Sequence, residues 1–141
     1  MNDLKLQQVR DTFSGDKFAT EVTGIEIVAV ADNYAKCELS IEDRHRNTVG
    51  AVMGGTIFTL ADFCYAVAAN AEKLSAVTES AHIMFLNQVR GNKLIAEARC
   101  LKSGRRNCFF EINITDELGT NVAIVTEVGC KIDDLKDRSS K

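Results

Sequence analysis

A helix-patterned run with almost no polar face constrains this chain more than any other feature. Asn47 to Asp62 reads N-T-V-G-A-V-M-G-G-T-I-F-T-L-A-D, a polar loop, a glycine turn and the start of a helix. The run continues through Phe63, Cys64, Tyr65, Ala66, Val67, Ala68 and Ala69. A helix apolar nearly all round belongs in the middle of a fold. Asp62 is the only charged residue between Arg46 and Glu72. Burying a carboxylate without a partner costs several kcal/mol or forces it to stay neutral. Two structural explanations compete with a functional one: a membrane span, and an acid bonded to backbone N–H or a hydroxyl. The run is shorter than the roughly 20 apolar residues a span needs. A site residue opening onto a cleft accounts best for the lone acid.

Gly54 and Gly55 stand just before the helix, where absent side chains let a ligand approach the backbone. The helix start also offers free N–H groups and a partial positive charge, which suits a polarised carbonyl oxygen or an oxyanion. Gly54 and Asp62 are eight positions apart, roughly 12 Å along the axis at 1.5 Å per residue. One carbonyl cannot reach both groups of the same chain. If both act on one substrate, Gly54 comes from one chain and Asp62 from a partner in a symmetric dimer.

The spacing Asn47, Gly50, Met53, Gly54, Gly55, Asp62 resembles the signature N-x-x-G-x-x-H-G-G-x-x-x-x-x-x-D of the PaaI-type hotdog-fold acyl-CoA thioesterases. The resemblance covers about residues 20–132. It departs at one position, where Met53 stands in place of the family's His. It implies a curved antiparallel sheet wrapped on one long helix, and hydrolysis of acyl-CoA thioesters without cofactor or metal. It implies dimers with shared sites that often pair into tetramers.

At 141 residues the chain suits one domain with a single core. A net charge of −3 argues against a general nucleic-acid binder. No N-terminal apolar run follows a basic segment, so no signal peptide is expected. Cysteines at 37, 64, 100, 108 and 130 are odd in number and form no C-x-x-C, which favours core thiols in a reducing cytoplasm over disulfides or zinc. Phosphate-loop, dinucleotide and G-x-S-x-G motifs are absent.

Leu6, Val9 and Phe13 predict a short N-terminal helix over about 4–13. A β-rich stretch follows from Ala19 to Val30, and Ala35, Cys37, Leu39 and Ile41 alternate as its hairpin partner. His45, in a polar loop, is expected to be solvated. After the helix, 76–89 reads as a strand with Ser80, His82 and Met84 on one face and Ala81, Ile83 and Phe85 on the other. Arg90-Gly91-Asn92 reads as a hairpin turn before three more strands, and 133–141 as a frayed tail. The total is about six strands around one helix, an α+β core over about 19–132.

The resemblance assigns roles. The Gly54 amide polarises the thioester carbonyl and Asp62 of the partner chain is nucleophile or general base. Asn47, otherwise a turn former, orients water or carbonyl, and Ser80 supports the site. Met53 and Gly55 line the substrate's approach. Lys102, Arg105 and Arg106, a basic turn in an acidic chain, suit the phosphates of coenzyme A. Because a Met side chain cannot donate a hydrogen bond, a non-catalytic or weakly active acyl-CoA-binding protein is the alternative. A hotdog hydratase is third, disfavoured by its different motif.

Overall fold

The computed structural model describes residues 3–132; the expected frayed tail lies outside them. Helix α1 spans Asp3–Phe13 and a π-helical turn Phe18–Thr23. Strands β1 (Glu26–Ala31) and β2 (Tyr34–Ser40) precede a short 3-10 turn, Asp43–His45, and helix α2, Gly54–Asn70. Strands β3 (Ala76–Phe85), β4 (Lys93–Ser103), β5 (Asn107–Asp116) and β6 (Asn121–Lys131) follow among the described residues.

The six strands form one sheet in the order β1-β2-β4-β5-β6-β3, with every neighbouring pair antiparallel. Helix α2 lies on its concave face, which is the hotdog arrangement. Period-two patterning puts Ala35, Cys37 and Leu39 of β2, Leu94, Ala96 and Ala98 of β4, and Phe110, Ile112 and Ile114 of β5 into the core. Leu60, Ala61, Cys64 and Val67 of α2 meet them from the other side. Small residues at the centre of β2 and β4 let the helix come close. The Cys64 thiol lies 3.4 Å from the Ala35 carbonyl and 3.5 Å from that of Ala96. All five cysteines are free; Cys37, Cys64 and Cys108 are buried, whereas Cys100 and Cys130 are half-buried.

Three local expectations give way to tertiary context. The start of the stretch from Ala19 is helical: the Ala19 carbonyl accepts the N–H groups of Gly24 and Ile25, at 3.1 and 3.0 Å. Gly24 then ends the turn in the left-handed region, φ 90°. Strand β3 ends at Phe85 rather than Val89. And 90–92 is no hairpin turn, because β3 pairs with β6 at one sheet edge while β4 enters between β2 and β5. The chain crosses there, fastened by Asp116. Asp116 Oδ2 accepts the N–H groups of Arg90 and Gly91, and Oδ1 those of Leu118 and Thr120, all between 2.9 and 3.0 Å.

Among the described residues no helix is long and apolar enough to cross a membrane. Strand β3 leaves one edge of the sheet open, and Val77, Met84, Phe85 and Leu86 at or just past its ends are exposed.

Candidate active site

His45 anchors the loop that leads into α2, and it is buried rather than solvated. Its Nδ1 accepts the Glu42 N–H at 2.9 Å, so the ring proton sits on Nε2, which donates to the Thr23 carbonyl at 2.7 Å. Its carbonyl accepts the Met53 N–H at 2.8 Å. Between these points the loop is shaped by Asn47, whose Oδ1 accepts the N–H groups of Val49 and Ala51, both at 3.1 Å. Asn47 is thus a turn former, and among the described residues its Nδ2 donates to nothing.

Helix α2 begins at Gly54 with Met53 as its N-cap, and the Met53 side chain makes no capping bond. The Met53 carbonyl takes the N–H groups of Thr56 and Ile57, so those of Gly54 and Gly55 remain as open donors of the first turn. Gly54 lines a cleft of about 760 Å³ whose walls are the Asn47 loop on one side and 85–89 on the other. That is ample for a small ligand. Met53 is 55% exposed beside it.

Asp62 lies two turns further along α2, in a separate depression of about 320 Å³ shared with Asp16, Phe18, Thr59 and Phe63. One chain therefore keeps Gly54 and Asp62 in different hollows. The Asp62 carboxylate is half-buried, and its Oδ1 lies 3.2 Å from the Thr78 hydroxyl. That hydroxyl is also 3.3 Å from Oε2 of Glu127, a β6 side chain only 1% exposed. Burial pushes the Glu127 carboxyl up to about 9; the neighbouring Asp62 adds to this, against the Thr78 hydroxyl. Asp16 is raised as well, first by burial and then by Asp62.

The hydroxyl on Asp62 is thus that of Thr78, not Ser80. A bulge in β3 between Thr78 and Ser80 sets the register, so that Ser80 stands opposite Val128 and Ala81 opposite Glu127. Glu127 points at the helix, so Ser80, one residue out of phase, faces away from it. His82 shares the Ser80 face, opposite Thr126. Thr78 and Glu127 are the residues beside Asp62 that sequence reasoning missed. Glu127 did leave a signal: it occupies the inward phase of Ala123, Val125 and Gly129 in the last strand.

Lys102, Arg105 and Arg106 are exposed on and after the end of β4, and none enters an ion pair among the described residues. Lys102 lines a shallow groove with Asn33, Tyr34 and Arg99, apart from the Gly54 cleft. Among the described residues no cluster of three or more His, Cys, Asp or Glu is placed to hold a metal ion.

A family model described as the thioesterase superfamily matches residues 49–123, from the Asn47 loop through α2 into β6. The chain belongs to the thioesterase superfamily. Within it, the acyl-coenzyme A thioesterase PaaI of Escherichia coli is 28% identical over 125 residues, covering 88% of this chain and 89% of its own. Human acyl-coenzyme A thioesterase 13 is 26% identical over 96 residues, covering 66% and 69%. The solved E. coli PaaI structure superposes with a TM-score of 0.83 at 24% identity, covering 91% of this chain and 94% of that one. A Streptococcus pneumoniae hypothetical thioesterase solved with coenzyme A has a TM-score of 0.78 at 23% identity, covering 84% and 95%. For this superfamily member, the hotdog fold is therefore shown by structure and the family by sequence.

Proposed function

We propose that this thioesterase-superfamily protein hydrolyses acyl-CoA thioesters, with Asp62 as its acid. The observation that carries the reading is the division of labour along α2. Open amide donors sit at Gly54 in one hollow, and a carboxylate held by a hydroxyl sits at Asp62 in another. Two copies related by a twofold axis, joined along the open edge of β3, bring the Gly54 end of one helix to the Asp62 of the other. The Gly54 amide then polarises the thioester carbonyl, and Asp62 attacks it or takes a proton from water. Asn47 Nδ2 offers a further donor, and Thr78 fills the supporting role first expected of Ser80. Lys102, Arg105 and Arg106 are proposed contacts for the coenzyme A phosphates. Dimers of this kind are proposed to pair into tetramers.

The test is thiol release from a panel of short, medium, long and arylacetyl-CoA esters, run beside Asp62→Asn. Turnover on any of them that the variant loses supports the reading. Acyl-CoA binding without turnover replaces it with a binding role, the reading favoured by the donor-free Met53 side chain at the helix start. Full activity in a species that sediments as a monomer would end the shared-site proposal.

A further inference from the structure

Glu127 is the one side chain with a fully buried, unpartnered oxygen among the described residues: Oε1 has no hydrogen-bond partner. It occupies a core position on β6, opposite Ala81 of β3 and Phe110 of β5. The titratable groups that bear on it come from α2, namely Asp62, Cys64 and Tyr65, with Asp16 beyond Asp62. None is a cation. Of the neighbouring strand acids, Glu79 is engaged by the Asn107 amide at 2.6 Å. As a carboxylate, Glu127 would put a second negative charge beside Asp62, with a single hydroxyl proton between them. As a carboxylic acid it carries no charge and becomes a donor toward the neighbouring Asp62, while the Thr78 hydroxyl stands between the two acids, 3.2 Å from Asp62 Oδ1 and 3.3 Å from Glu127 Oε2.

We propose that Glu127 is a positioning residue of the site, a neutral carboxylic acid that holds the Asp62 carboxylate in its working orientation from the core face of the sheet. It touches no substrate and acts only through Asp62, so this inference rests on the hydrolase reading above. Burial at 1% exposure keeps water from replacing it. Its loss of a proton at alkaline pH breaks the donor contact and adds a repulsive charge, which misplaces Asp62 and stops turnover.

The experiment has a substrate-free arm and a kinetic arm. The first follows glutamate side-chain carboxyl carbons by NMR from pH 5 to 11 in selectively labelled protein. One resonance titrates near pH 9, is absent from Glu127→Gln and moves to lower pH in Asp62→Asn. If every glutamate titrates below pH 6, the proposal is overturned, whatever the enzyme does. In the kinetic arm, Glu127→Leu lowers kcat about tenfold or more at unchanged KM, and Glu127→Gln restores most of it while abolishing the alkaline fall in kcat. An alkaline fall that persists in Glu127→Gln, or full kcat in Glu127→Leu, overturns it. If no acyl-CoA is turned over at all, the hydrolase reading fails, and the NMR arm still decides whether Glu127 and Asp62 share a proton.

Discussion

Phe85 closes over Gly54: a Cβ built at position 54 would stand 3.0 Å from the ring's Cζ and 3.4 Å from Cε1. The end of β3 is thus pressed against the start of α2, so the open amides there sit under an aromatic wall. Gly54→Ala pushes this ring back by a few tenths of an ångström. Because Phe85 is largely exposed it can move, and alanine is at least as well tolerated as glycine at the first helical position, where the helix-interior penalty on glycine is not in play. Thermal stability should therefore hold or rise, while kcat/KM falls about tenfold or more. A paired melting curve and kinetic assay check both.

Met53→His restores a donor at the helix start. One oxyanion donor is worth about 2.7–4 kcal/mol, a factor of about 100–1,000 in kcat. The variant should gain rate by up to that factor with little change in melting temperature, since the Met53 side chain caps nothing. Steady-state kinetics on the best substrate measures it.

Glu127 makes the fold less stable as pH rises. Its carboxyl is raised from 4.5 to about 9 in the fold. Between those values the folded state holds one more proton than the unfolded chain. Stability therefore falls as pH rises, by at most about 1.4 kcal/mol per pH unit. Below pH 4.5 the contribution is fully present. Glu127→Gln is neutral throughout, so its melting-temperature advantage over the parent should widen from pH 5 to pH 9. Denaturation at a pH series reads this without substrate.

Asp116 acts with the opposite sign. Burial works to raise its carboxyl, but backbone N–H groups of Thr120, Arg90 and Gly91 outweigh it and hold it well below the usual 3.8. Its contribution is present above about pH 3.8 and is lost as pH falls further. Asp116→Ala strips four backbone donors of their acceptor and should cost about 2–4 kcal/mol. It should also flatten the acid limb of the stability curve, measured by urea denaturation between pH 2 and 7.

The sequence by itself determined the buried helix, the period-two strands and the Gly54–Asp62 spacing, because a local pattern of apolar residues dictates which face is buried. It also determined that no single chain could place both ends of that spacing on one carbonyl, since helix rise is fixed. What only the tertiary structure decided was which side chains meet across elements. One bulge in β3 put Thr78 on Asp62 and turned Ser80 away. Strand order made the loop after β3 a crossover rather than a hairpin, because β3 pairs with β6. His45 moved from solvent to core because a carbonyl 22 residues earlier accepts its ring proton. And Glu127 became a partner of Asp62 only when the last strand came to lie beside β3, where a buried acid next to another must keep its proton.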